Sequence, residues 1–273
     1  MRENDAATTI DSLSVVAPAY NEADSIGALA THWLDYLRAR PGLCSFEIIV
    51  CDDGSTDATA AILAHLAEAH AELRIVQHAR NRGGGCAVAS AVAASRYRWV
   101  LILDADGQFP IENLDRFAEA LHAEPALAFL GARTDKQDSG FGRFGARVTT
   151  LACNAIYGSS YQDLSSACQL VHGELVRSLR IEAKGLNYSV EIASKLLESG
   201  VRIREVPIVH RTRVGGRSSR TLLKSSVHRA MWVGYLAIRR ALIAASILDS
   251  ALGDRGTIAG AGAAGTGTGT GAR

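Results

Sequence analysis

The sequence predicts an α/β protein built on a mostly parallel, Rossmann-like sheet flanked by helices. Two observations predict it. Short apolar runs alternate with helical segments of about ten to fifteen residues, the pattern of repeated βαβ units. The early apolar runs also end abruptly: in Pro18 after residues 13–17, in Asp52 and Asp53 after 46–51, and in Asp104 and Asp106 after 100–103. Right-handed crossovers place every strand-to-helix loop of such a sheet along one edge, so these polar exits are expected to share a rim.

Each element has its own signature. Residues 13–17 form the first strand, ended by Pro18. Asp24 or Ser25 is the expected cap of a helix whose apolar face is Ile26, Leu29, Trp33 and Leu37, broken by Pro41 and Gly42. Residues 46–51 form the second strand, and Asp57 caps the helix over 58–70. Residues 73–77 are the third strand. Gly83, Gly84 and Gly85 turn into an Ala-rich helix over 86–95, small enough to lie close to the sheet. Residues 98–103 and 126–131 are the fourth and fifth strands. Beyond them the spacing predicts a helix over 141–157, an extended segment over 168–172 and an amphipathic helix over 186–199. Pro207 in the strand 201–209 marks an edge position. A basic glycine-containing loop, VGGRSSR (214–220), precedes an apolar helix over 222–248 carrying Lys224, Arg229, Arg239 and Arg240. The expected organisation is an extension over 1–12, a domain over 13–220, an amphipathic helical region over 221–252 and a disordered Gly/Ala/Thr tail over 253–273.

Composition narrows the function. The 273 residues are 48% hydrophobic and 21% charged, as in a globular protein. A net charge of +1 offers no basis for nucleic-acid binding. Cys44, Cys51, Cys86, Cys153 and Cys168 are scattered and odd in number, which fits reduced thiols in a cytoplasmic protein. The polar N-terminus has no signal peptide, and no run approaches the roughly 18 apolar residues of a membrane span. The helix over 222–248 packs either on the domain or a second copy, or along the inner membrane surface.

The residues LDADGQ (103–108) carry the chemistry. Asp104 and Asp106 point the same way and repel unless a cation lies between them. Oxygen ligands of this kind suit Mg²⁺ or Mn²⁺ bridging a diphosphate. Asp53 shares their rim and can accept from a nucleobase or ribose, and Tyr20 can stack on a base. Arg133, Arg211, Arg213, Arg217 and Arg220 are candidates for pairing with phosphate. Gly83–Gly85 lacks both the dinucleotide fingerprint and the P-loop lysine, which argues against a dehydrogenase. A non-catalytic nucleotide-binding module has no need of both Asp104 and Asp106.

Four segments in this order, VVAPAYNE (15–22), EIIVCDDGSTD (47–57), LDADGQ (103–108) and EVPI (205–208), resemble family-2 glycosyltransferases of the GT-A fold. Within that family they are most similar to the dolichyl-phosphate mannosyltransferase branch and its bacterial polyprenyl-phosphate relatives, over about residues 13–220. The resemblance implies that Pro18, Tyr20, Glu22, Cys51 and Asp53 hold the nucleoside. It implies that Asp104, Ala105 and Asp106 hold metal and diphosphate with Gln108 nearby, and that Arg133 and Arg213 contact the donor. Three departures fall mainly on the acceptor side. NRGGG (81–85) lacks the usual lysine, DLSSACQ (163–169) has Gln169 in place of an arginine, and the loop lysine is Ser219 followed by Arg220.

The expected reaction is inverting transfer of a hexose or N-acetylhexosamine from a donor such as GDP-mannose, UDP-glucose or UDP-GlcNAc. The acceptor is expected to be a polyprenyl phosphate or, alternatively, a soluble hydroxyl. A phosphate nucleophile is already ionised near neutral pH. A hydroxyl needs a carboxylate to take its proton, with Asp163 the first candidate and Glu191 the second.

Overall fold

The computed structural model describes residues 8–133, 140–185, 187–212 and 222–245. Its strands are β1 (Ser12–Ala19), β2 (Ser45–Asp52), β3 (Leu73–Gln77), β4 (Trp99–Ile102), β5 (Ala128–Arg133), β6 (Gln169–His172) and β7 (Ile203–Ile208). Its helices are α1 (Ile26–Ala39), α2 (Thr59–Ala69), α3 (Gly84–Ala94), α4 (Asn113–Ala123), α5 (Gly140–Tyr157), α6 (Gly173–Ser178), α7 (Tyr188–Glu198) and α8 (Leu222–Ala244). The expected tail over 253–273 and the basic loop over 214–220 lie outside the described residues.

The strands form one sheet in the order β3-β2-β1-β4-β6-β5-β7. β3, β2, β1 and β4 pair in parallel, as the βαβ alternation requires. β6 enters antiparallel between β4 and β5, so the extended segment after residue 168 is an interior strand that the periodicity did not place. β7 pairs with β5 alone at the end of the order, which gives Pro207 its edge position. Strand β1 continues through Pro18, which stands opposite Cys51, and stops after Ala19 rather than before the proline.

The core follows from the side-chain periods. β4 is buried at every position, and α1 buries Ile26, Ala30, Trp33, Leu34 and Leu37 along one stripe. Burying each of the larger side chains contributes about 1.5–3 kcal/mol. Helix α3 packs on β1 and β2 through Ala87, Val88, Ala91 and Val92. Its leading glycines serve a different neighbour. A Cβ at Gly85 would lie 1.7 Å from the Ala183 carbonyl oxygen, and one at Gly83 2.0 Å from that of Lys184. The glycine turn is therefore set by the approach of residues 183–185, which the sequence pattern did not reveal.

The expected cap at Asp24 or Ser25 is not formed by side chains. Ser25 occupies the cap position of α1, but its hydroxyl turns back to Glu22. Asp57 does act at the start of α2, accepting from the Thr59 amide at 3.0 Å and hydroxyl at 2.6 Å. It also accepts from the Ala23 amide, which ties the α1 and α2 entrances together.

Candidate active site

The exits of β1, β2 and β3 build the first cleft. Its volume is about 580 Å³, and its walls are Tyr20, Gly54–Thr56 and Gln77–Asn81. The β1 and β2 exits are stitched together: the Asp53 amide donates to Ala19, the Asn21 amide to the Ser55 hydroxyl, and the Thr56 amide to the Asn21 side chain. Asn21 adopts a left-handed backbone (φ 54°), a conformation asparagine tolerates better than most residues. Glu22 is buried beside this corner, its amide donating to Thr59.

Asp53 is committed to the frame of that cleft. It is 2% exposed, and its carboxylate accepts from the amides of Arg82 at 2.9 Å and Gly83 at 2.7 Å. It also lies 2.7 Å from His78 Nδ1. One carboxylate thus shapes the whole Gln77–Gly83 wall. Cys51 lies behind it, with Sγ 3.6 Å from His78 Nε2. Burial, reinforced by Asp53 and Asp52, pushes the Cys51 thiol up to about 12, so it stays protonated. His78 escaped the sequence reading. Its signal was its place: it follows the third strand as Asp53 ends the second.

The exit of β4 is the next station. Ala105 and Asp106 are buried, and Asp104 is partly so. The Gln108 amide donates to Asp106 Oδ1 at 3.1 Å, and Gly107 takes φ +76° to close that turn. The Gln108 carbonyl accepts from the Arg211 amide, so the segment leading into the basic loop is anchored at this exit. The Tyr188 hydroxyl donates to Asp104 Oδ1 at 2.6 Å. Burial first, then the Asp104 charge, holds that phenol well above its usual range, which keeps it a donor. A second cleft of about 150 Å³ opens here, lined by Asp104, Gln108, Arg133, Thr149, Tyr188 and His210 among others. His210 is buried, with its ring 5.1 Å from that of Phe109. Tyr188 and His210 were not found from the sequence, because neither lies near a strand exit of the first half.

The two carboxylates considered for base work, Asp163 and Glu191, are both buried and paired. Asp163 is 1% exposed and bound by Arg133 through two guanidinium nitrogens, Nε at 2.7 Å and Nη2 at 3.1 Å, with the Ser165 hydroxyl at 2.9 Å. This fork holds Arg133 in the cleft wall. Glu191 is fully buried, accepts from the amides of Glu182 and Ala183 at 2.8 Å, and pairs with Lys195 at 2.7 Å. It holds the 182–183 segment, the same segment the α3 glycines accommodate. Gln169 is also fully buried, its amide donating to the carbonyls of Ser166 and Ser189. It sits inside the protein at the start of β6. Arg213, Arg217 and Arg220 lie outside the described residues, and Arg211 is exposed.

A family model described as Glycosyl transferase family 2 matches residues 14–179. The chain belongs to that family. It is 29% identical over 224 residues to an undecaprenyl-phosphate 4-deoxy-4-formamido-L-arabinose transferase of Edwardsiella ictaluri, covering 79% of this chain and 65% of the relative. It is 37% identical over 121 residues to the dolichyl-phosphate beta-glucosyltransferase of Mus musculus, covering 41% and 37%. The chain thus spans less than two thirds of the length of these relatives. A crystal structure of glucosyl-3-phosphoglycerate synthase from Mycobacterium tuberculosis, in complex with Mn²⁺, UDP and glucosyl-3-phosphoglycerate, shares the fold. Its TM-score is 0.64 at 21% identity, covering 91% of this chain and 85% of that one.

The fold is therefore the GT-A arrangement, with both clefts at the carboxyl ends of parallel strands. The described residues contain no cluster of three or more His, Cys, Asp or Glu arranged as a metal cage. Two hard carboxylates two residues apart, Asp104 at the cleft wall and Asp106 buried beside it, nevertheless suit Mg²⁺ or Mn²⁺, which keep coordination positions for substrate phosphates.

Proposed function

We propose that this chain is an inverting glycosyltransferase that moves a hexose or N-acetylhexosamine from a nucleotide-diphosphate sugar to a polyprenyl phosphate. The observation that carries the reading is the place of Asp104 and Asp106 at the exit of parallel strand β4, with Asp104 in the wall of the second cleft. In this reading Tyr20 and the Asp53-framed wall seat the nucleoside, and Pro18, Glu22 and Cys51 shape the floor beneath it. Asp104 and Asp106, with Ala105 between them and Gln108 nearby, hold a divalent ion at the diphosphate. The ion supplies charge neutralisation for the leaving diphosphate. Tyr188 orients Asp104, as hydrogen-bonded partners of metal ligands do. Arg133 faces the transferring sugar, held there by Asp163. Arg213 and Arg220 add positive charge from the basic loop, which precedes α8. The glycosyltransferase domain is residues 13–220.

The engagement of Asp163 and Glu191 bears on the acceptor. Both carboxylates considered for base work are tied to cations and amides. A phosphate acceptor has no proton to lose at neutral pH, so transfer to it proceeds without that base. The relatives named for undecaprenyl-phosphate and dolichyl-phosphate substrates support the same choice.

The test is a transfer assay with labelled UDP- and GDP-sugars, Mn²⁺ or Mg²⁺, and a polyprenyl phosphate in detergent. Label extractable into organic solvent, of inverted anomeric configuration and absent from Asp106→Ala, is the expected result. Label found only in water-soluble glycoside would replace the lipid acceptor with a hydroxyl one. Donor binding without any turnover would leave a binding module.

A further inference from the structure

Two adjoining helices carry apolar side chains that the fold leaves outside. On α5, Ala146, Thr149, Thr150 and Cys153 are buried, and Ala146 and Thr149 line the cleft shared with Asp104 and Arg133. Another face of α5 exposes Phe144 by 66%, Val148 by 48% and Leu151 by 62%. Their spacing of four and then three residues makes a single stripe. Helix α8 packs beside α5 and exposes Met231 by 69% and Ile238 by 65%, two turns apart. Among the described residues, the exposed large apolar side chains are these five and Val209.

The charge on these helices has one sign. Neither contains an aspartate or glutamate, while Arg143 and Arg147 lie on α5 and Lys224, Arg229, Arg239 and Arg240 on α8. Arg147 and Arg240 are exposed. Arg239 is bound to Glu198 at 2.9 Å.

We propose that the α5–α8 face is a contact for an anionic lipid surface, which places the Arg133 cleft one helix away from the membrane. An apolar stripe on helices that themselves carry no carboxylate fits the headgroup boundary, where the stripe enters the acyl region and exposed Arg147 and Arg240 meet lipid phosphates. A second copy of the chain fits less well, because a two-fold pairing through this face sets cations against cations. The geometry also serves the reaction. α5 is buried against the cleft on one side and exposes its stripe elsewhere, and a helix is about 10–12 Å across with its side chains. A phosphate lying at the interface is then within reach of the cleft mouth while its polyprenyl chain stays in the bilayer. The choice of lipid over a second copy rests in part on the polyprenyl-phosphate reading.

The experiment is co-sedimentation of the full chain with vesicles of phosphatidylglycerol and phosphatidylcholine, and with phosphatidylcholine alone. Neither contains polyprenyl phosphate, so a wrong acceptor assignment leaves the result readable. Wild type is expected to pellet with the anionic vesicles and to stay in solution with the neutral ones. The combined variant Phe144→Asp, Leu151→Asp and Ile238→Asp is expected to lose binding on the order of tenfold, with an unchanged melting temperature. Leu151→Ser alone gives a smaller loss in the same direction and serves if the combined variant fails to fold. Three results would overturn the proposal. Wild type could remain in solution with anionic vesicles, or the variants could bind as wild type does. Light scattering could instead show a wild-type dimer that the combined variant dissociates, which would assign the face to a second copy.

Discussion

The two ends of the β4 rim are built differently. On the side of β1 to β3, parallel strands end in short polar exits that bond to one another, and Asp53 holds the opposite wall in place. On the side of β5, the second cleft is lined by residues of α5 and α7 and by Arg133, and two ion pairs, Arg133–Asp163 and Lys195–Glu191, lie in the surrounding elements. The difference teaches that charge has distinct uses on the two sides. Asp104 and Asp106 end β4, with Asp104 in the cleft wall, and are held there by the Tyr188 hydroxyl and the Gln108 amide. Asp163 and Glu191 are completed from within, and serve to aim a guanidinium and to hold a loop.

Breaking the inner pairs should cost stability, while breaking the rim should cost chemistry. Glu191→Ala leaves Lys195, 2% exposed, with only its Glu182 and Arg180 partners. We expect a destabilisation approaching about 3–5 kcal/mol, read by denaturant unfolding. Asp106→Ala should leave the melting temperature nearly unchanged and lower kcat by about 10²–10³, as loss of one group stabilising the leaving charge does. Asp163→Asn sharpens the contrast further. As a positioning residue for Arg133 it should cost turnover on the order of tenfold, whereas loss of a general base costs about 10²–10⁴. Tyr188→Phe removes the hydroxyl from Asp104 and should weaken Mn²⁺ dependence about tenfold, seen as a higher metal concentration for half-activation. The smallest effect is a labelling pattern. Thiolate is the reactive form, and a raised pKa lowers its fraction at any given pH. Burial raises Cys51 to about 12 and Cys153 to about 11, so iodoacetamide at pH ~8 should modify exposed Cys44 first and leave those two intact.

The sequence reading was strongest where chemistry and strand pattern coincide. Strands β1, β2 and β4 announce themselves as apolar runs, and their exits as a proline and aspartates, which puts Tyr20, Asp53, Asp104 and Asp106 on one edge of a parallel sheet. What stayed hidden were partners distant along the chain. Arg133 and Asp163 are 30 residues apart, and nothing local says that one fills the other. Tyr188 reaches Asp104 across 84 residues. Four residues of β6 carry no mark of their antiparallel insertion. The Gly83–Gly85 turn resembles helix–strand packing in sequence, yet its tightest neighbours are the carbonyls of Ala183 and Lys184.

The central claim is that the Asp104–Asp106 rim is a metal-dependent nucleotide site. Thermal shift of wild type and Asp106→Ala with UDP or GDP, in Mn²⁺ and in EDTA, tests it most directly. The account predicts that one nucleotide raises the wild-type melting temperature in Mn²⁺ alone, and that Asp106→Ala loses this rise. An equal rise in the variant, or the same rise in EDTA, would contradict it.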